Sequence, residues 1–114
     1  MVQKAISGPV RIKENEVDLN SVTTATDGAG LQLDWADNIN VFVEVTGNTG
    51  AVTVNIETSP TGLFAGEEVT RETQTHTATN GTFEFNFREH SPFLRTTTTT
   101  QSNSTVKTTI TARS

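Results

Sequence analysis

An all-β chain folded as a single antiparallel β-sandwich is what these 114 residues predict, and three observations carry the prediction. Apolar residues recur at every second position, most clearly at Ile39, Val41, Val43 and Val45 and again at Val52, Val54 and Ile56. Thr fills 23 positions, and its branched β-carbon suits pleated strands better than helices. Clusters of Gly, Asn and Ser punctuate the chain at short, fairly even intervals. Apolar residues spaced three and four apart, the mark of an amphipathic helix, are nearly absent. Seven to nine short strands are therefore expected, in a jelly-roll or immunoglobulin-like sandwich whose sheets pack at about 10 Å. A single sheet is not expected, because its apolar face would have nothing to pack on.

The elements follow in order. Residues 1–9, ending in Ser7-Gly8-Pro9, read as a short N-terminal arm, and residues 10–114 as the sandwich domain. Val10–Ile12 and Val17–Leu19 are the first strand candidates, and 26–30 is a loop. Leu31, Leu33 and Trp35 share one face of a short strand, so Trp35 reads as core rather than as a platform for a sugar ring. Residues 39–46 and 52–57 read as a β-hairpin closed by Gly47-Asn48-Thr49-Gly50. Ser59-Pro60-Thr61-Gly62 opens a loop reaching to 67. The Thr-rich run 68–78 is expected to pair with 82–88 through Asn80-Gly81, a favoured hairpin dipeptide. In 82–88, Phe83, Phe85 and Phe87 alternate with polar residues. Leu94–Thr100 is expected to pair with the run from Val106 to Ala112 through Gln101-Ser102-Asn103. The Thr tract 96–100 has two readings: an ordinary strand with inward Thr, or a flat uncharged edge offered to another chain.

Composition narrows the function. The formal net charge is −5 and the pI near 4.9, so little basic surface is available to track phosphates, and nucleic acid is not an expected partner. No apolar run approaches the ~20 residues of a membrane-spanning helix, and the first residues are too few and too polar for a signal peptide. There is no Cys, which excludes disulfides, thiolate metal sites and cysteine catalysis. Lys stands only at positions 4, 13 and 107, while 13 carboxylates are spread along the chain. That balance fits a surface hydrated at high salt, or an ordinary acidic surface that keeps a protein soluble.

Reactive constellations are scarce. His76 and His90 lack companions at metal-ligand or general-base spacing; His76 is expected on the outer face of a strand and His90 at a turn. Asp27, Asp34 and Asp37 do not alternate around a Gly as a calcium loop requires, and Glu67-Glu68 reads as a solvated pair. No nucleophile elbow or phosphate-cradling loop is present. Asn80-Gly81-Thr82 and Asn103-Ser104-Thr105 match a glycosylation pattern that arises by chance in a chain rich in Asn and Thr. The expectation is a protein without catalytic, cofactor-binding or metal-binding residues.

From residue 39 onward the succession "VFVEVTGNTGAVTVNIETSP", "SPTGLF", "TFEFNF", "PFLR" and "STVKTTITA" resembles small β-sandwich structural proteins of tailed viruses: head-decoration, turret and tail-associated domains. The acidic, Lys-poor, Thr-rich composition is similar to such proteins from viruses of halophilic archaea. The resemblance implies a virion protein on the capsid surface or tail. It would assemble as a homo-oligomer against the major capsid protein or other virion proteins, with neither nucleic acid nor membrane as a partner. The residues expected to make subunit contacts are Val2 and Pro9 of the arm, Phe64 in its loop, and Thr96, Thr97, Thr98, Thr99 and Thr100. The alternatives are a tail-associated structural protein and, in a different class, a carbohydrate- or receptor-binding module with exposed aromatic rings near Trp35 or Phe42.

Overall fold

The structure is a computed structural model that describes residues 11–88 and 92–114. The expected arm with Val2 and Pro9, and His90, lie outside the described residues. Among the described residues eight strands form: β1 Ile12–Val22, β2 Leu31–Gln32, β3 Asn38–Thr46, β4 Ala51–Ser59, β5 Val69–Thr77, β6 Gly81–Phe87, β7 Phe93–Thr99 and β8 Thr105–Arg113. They make two four-stranded antiparallel sheets, ordered β1-β8-β3-β6 and β2-β7-β4-β5, packed as a β-sandwich.

The pairing rule is that of a jelly roll. Strand β1 lies against β8, β2 against β7, β3 against β6 and β4 against β5, as in one long hairpin whose tip is the 60–68 loop. Rolling that hairpin brings β8 onto β3 and β7 onto β4, which completes both sheets. The chain therefore enters and leaves at one corner, where Ile12 pairs with Arg113 and the Ser114 N–H donates to the Arg11 carbonyl at 3.0 Å.

This topology corrects all three expected hairpins. β3 and β4, β5 and β6, and β7 and β8 each lie in opposite sheets, so the segments 47–50, 78–80 and 100–104 are arches across the sandwich. The alternation itself holds in the fold: Ile39, Val41, Val43 and Val45 face Val52, Val54 and Ile56 across the core. Alternation specifies which side chains turn inward, not which neighbour receives the backbone bonds. A two-residue type I′ hairpin needs positive φ at both central residues, and of Asn80-Gly81 only Gly81 has it. The first arch is pinned instead by Asn48. Its side-chain amide donates to the carbonyls of His76 and Thr79 at 3.0 and 3.1 Å, and its own N–H donates to Asn80 Oδ1 at 2.7 Å.

Two elements differ in length from expectation. The two early strand candidates merge into the single β1, whose register with β8 shifts three times and whose Asn15 and Ser21 take positive φ. Strand β2 stops at Gln32, and Trp35 sits in a turn closed by the Ala36 N–H on the Leu33 carbonyl. Trp35 still packs against the core, half-buried, with the Arg11 guanidinium 4.5 Å above its ring. Leu19, Leu94, Val106, Ile110 and Ala112 complete the core, together with the fully buried Thr96 and Thr108.

Candidate functional site

Because odd-numbered residues of β3 turn inward, Phe42 and Glu44 are forced onto the outer face of the first sheet. There Phe42 lies beside Thr109 of β8, and Glu44 sits between Lys107 of β8 and Thr82 of β6. The bulged Asn15 of β1 closes the far side. The result is an open groove of about 320 Å³ lined by Asn15, Phe42, Glu44, Thr82, Lys107 and Thr109. One aromatic ring, one carboxylate, one ammonium, two hydroxyls and an amide can receive a ligand with both an apolar and a polar face. A second, more polar groove is lined by Arg11, Lys13, Gln32, Asp34 and Trp35.

A second set of polar groups ties the two sheets together. Asp18 of β1 reaches across to the second sheet, where its Oδ2 accepts from the Thr96 N–H at 2.6 Å and the Thr96 hydroxyl at 2.7 Å. Its Oδ1 accepts from the Gly30 N–H at 2.8 Å. With the Thr96 proton committed to Asp18, the Thr108 hydroxyl donates to Thr96 Oγ1 at 2.7 Å and accepts from the Leu19 N–H at 2.9 Å. Every hydroxyl in this chain of bonds is satisfied, which is why two Thr side chains are tolerated in the core. The sequence reading missed Asp18 and Thr108. The available signal was an Asp set between Val17 and Leu19 in a strand pattern.

The Thr tract proves to be an ordinary strand for most of its length. β7 has neighbours on both sides: β4 on one, and β2 followed by residues 26–28 on the other. The Thr98 N–H donates to the Thr26 carbonyl at 2.8 Å, and the Gly28 N–H to the Thr96 carbonyl at 2.8 Å. Thr96, Thr97 and Thr98 are buried within the single chain, so the expected subunit contact at these three is corrected; only Thr99 and Thr100 are exposed. Phe64 is half-buried beneath Arg95, whose guanidinium lies 4.5 Å from the ring and whose Nε bonds Glu57 Oε1 at 2.8 Å. Its neighbour Leu63 is a large apolar side chain that reaches solvent, at 62% exposure.

His76 is the other correction. It faces inward rather than outward, is 7% exposed, and stacks on Phe83 with ring centroids 4.2 Å apart. Its Nε2 is buried without a hydrogen-bond partner, and burial lowers its pKa below the ordinary 6.5. Outward polar residues fill one face of β5, so the inward register position opposite Val52 falls to His76. Among the described residues no three His, Asp or Glu side chains gather as a metal site would require.

Fold and grooves define an eight-stranded jelly-roll protein with solvent-facing sheets. No family model matches the chain, and no curated protein matches it. Solved structures do share the fold. The SPBc2 prophage-derived protein YomS superposes with a TM-score of 0.60 at 9% identity, covering 94% of this chain and 96% of that one. A protein of the disulfide-linked pili of Bacillus endospore appendages gives 0.54 at 15% identity, covering 91% and 86%. PirA gives 0.52 at 16% identity, covering 90% and 92%. At such identities the likeness is one of fold.

Proposed function

We propose that this chain is a structural protein of a virion, a decoration or turret subunit that assembles as a homo-oligomer on the viral head rather than an enzyme. The observation that carries the reading is the end-to-end agreement of its fold with a prophage-derived protein, joined by a pilus protein, itself part of an assembly. The composition supports it: solvent-facing Thr and Asn cover the outer face of the second sheet, at Thr53, Thr73, Thr75, Asn55 and Thr99. Such a face can pack against a neighbour without desolvating many charges. The acidic, Lys-poor surface supports a high-salt setting for the particle. Avidity of a closed oligomer would turn weak contacts with the major capsid protein into lasting attachment. Size-exclusion chromatography with light scattering, in low and in multimolar salt, followed by co-sedimentation with purified heads, tests the reading. A discrete oligomer that sediments with heads is expected; a monomer at every concentration that ignores heads overturns it. Sedimentation with purified tails instead would place the protein there.

A second reading rests on the Phe42 groove. An aromatic ring flanked by Glu44, Lys107 and hydroxyls suits a glycan of a host receptor. Binding on a glycan array that Phe42→Ala abolishes would favour it, and an array without hits would set it aside.

A further inference from the structure

Among the described residues four strands end a sheet: β1 and β6 in the first, β2 and β5 in the second. Such edges leave backbone N–H and C=O groups open to pairing with another chain, and proteins guard them with bulges, charges or shortness. β1 is bulged at Asn15 and Ser21 and carries Lys13, Glu14, Glu16 and Asp18. β2 is two residues long. β5 has a register shift opposite Ile56 and Glu57 and carries Arg71 and Glu72. β6 lacks these guards. Its seven residues run in unbroken register with β3, with neither Pro nor Lys and with Glu84 as the sole charge. It also leaves Phe83, Phe85 and Phe87 half-buried against the core.

We propose that β6 pairs antiparallel with β6 of a second copy, about a two-fold axis at Phe85, fusing two four-stranded sheets into one of eight. The proposal names the contact for the oligomer inferred above and rests on that reading. Register follows from the sequence Gly81-Thr-Phe-Glu-Phe-Asn-Phe87. Side chains alternate, so only registers that keep all Phe residues on the core side are allowed. With the axis at Phe85, Phe85 meets its own copy and Phe83 meets Phe87 in both directions, giving three aromatic pairs. On the outer face Glu84 then lies opposite Asn86, with Arg88 of the copy on one diagonal and the copy's Glu84 on the other, so no two carboxylates stand directly opposite each other. An axis at Glu84 would set two carboxylates face to face. An axis at Asn86 would leave Phe83 without an aromatic partner.

The chain has no Cys, so introduced thiols report the register directly. The full-length Glu84→Cys/Asn86→Cys variant places a thiol on each outward position of the pair. Under mild oxidation it is expected to shift from monomer mass to twice 12.3 kDa on a non-reducing gel, while Glu84→Cys alone stays at monomer mass. Thermal melts of the reduced variants check that both fold. Cross-linking of Glu84→Cys alone overturns the register. An oligomer by light scattering with no cross-link in either variant overturns the β6 contact and leaves assembly standing. Cross-linking that appears only after deletion of residues 2–9 assigns the edge to the chain's own N-terminal segment and overturns the proposal. A wild-type chain that is monomeric throughout overturns both readings.

Discussion

At the scale of single residues the fold concentrates its polar stakes at three places. Gly28 has no room for a side chain: a Cβ there would sit 2.0 Å from Asp18 Oδ2 and 2.7 Å from the Thr96 carbonyl. Gly28→Ala is therefore expected to break the Asp18 bonds and lower the melting temperature, measured by circular dichroism. Thr108→Val keeps the shape but strands the Leu19 N–H and a Thr96 lone pair, at a cost of about 1–3 kcal/mol in chemical denaturation. His76 gives a pH prediction. Its folded pKa lies below the unfolded 6.5, so below that value the unfolded chain binds the proton more readily. Stability should be full above pH 6.5 and fall as pH drops through 6.5 toward the folded pKa. The stacked variant His76→Phe should flatten that acid-side loss when the two proteins are melted across the same pH series. An unchanged slope would show that His76 is not its source.

Strands carry a different lesson. The tract Thr96–Thr100 is flat and uncharged, as an open edge would be, yet a strand is an edge only if no neighbour occupies its flank. Residues 26–28 and β4 occupy both flanks of β7. The strand that stands open among the described residues, β6, hides behind a strongly apolar pattern that reads as ordinary core. Asn48 shows the same principle in a turn. Its place between two glycines resembles a hairpin tip, but its amide ties one arch to the next. Asn48→Ala should cost about 1–3 kcal/mol by leaving two carbonyls without their donor, seen as a lower denaturation midpoint at unchanged slope. Arg95→Ala should cost about 2 kcal/mol, because Glu57 at 13% side-chain exposure would lose its charged partner and Phe64 its cover.

Across the whole molecule the roll makes the ends of the chain interdependent. β8 lies in the middle of its sheet, bonded to β1 on one side and β3 on the other. Removing residues 105–114 should abolish the fold rather than trim it, giving a collapsed amide dispersion in an NMR spectrum. Closing contacts such as Ile12 with Arg113 before any stable sheet exists is entropically costly, so refolding should fall in the slow range of milliseconds to seconds by stopped-flow fluorescence of Trp35.

Local chemistry was enough to settle that the fold is all-β, where nearly every strand runs, and which face of β3, β4, β6 and β8 turns inward. Those properties depend on a residue and its next neighbours. Pairing was not legible, because alternating side chains look the same whether the following strand lies beside them or across the core. The jelly-roll order, the burial of Thr96 and His76, the bridging role of Asp18, the groove at Phe42 and the bare edge of β6 all follow from contacts between residues tens of positions apart. Burial is a property of what lies opposite, and no stretch of sequence carries its own opposite.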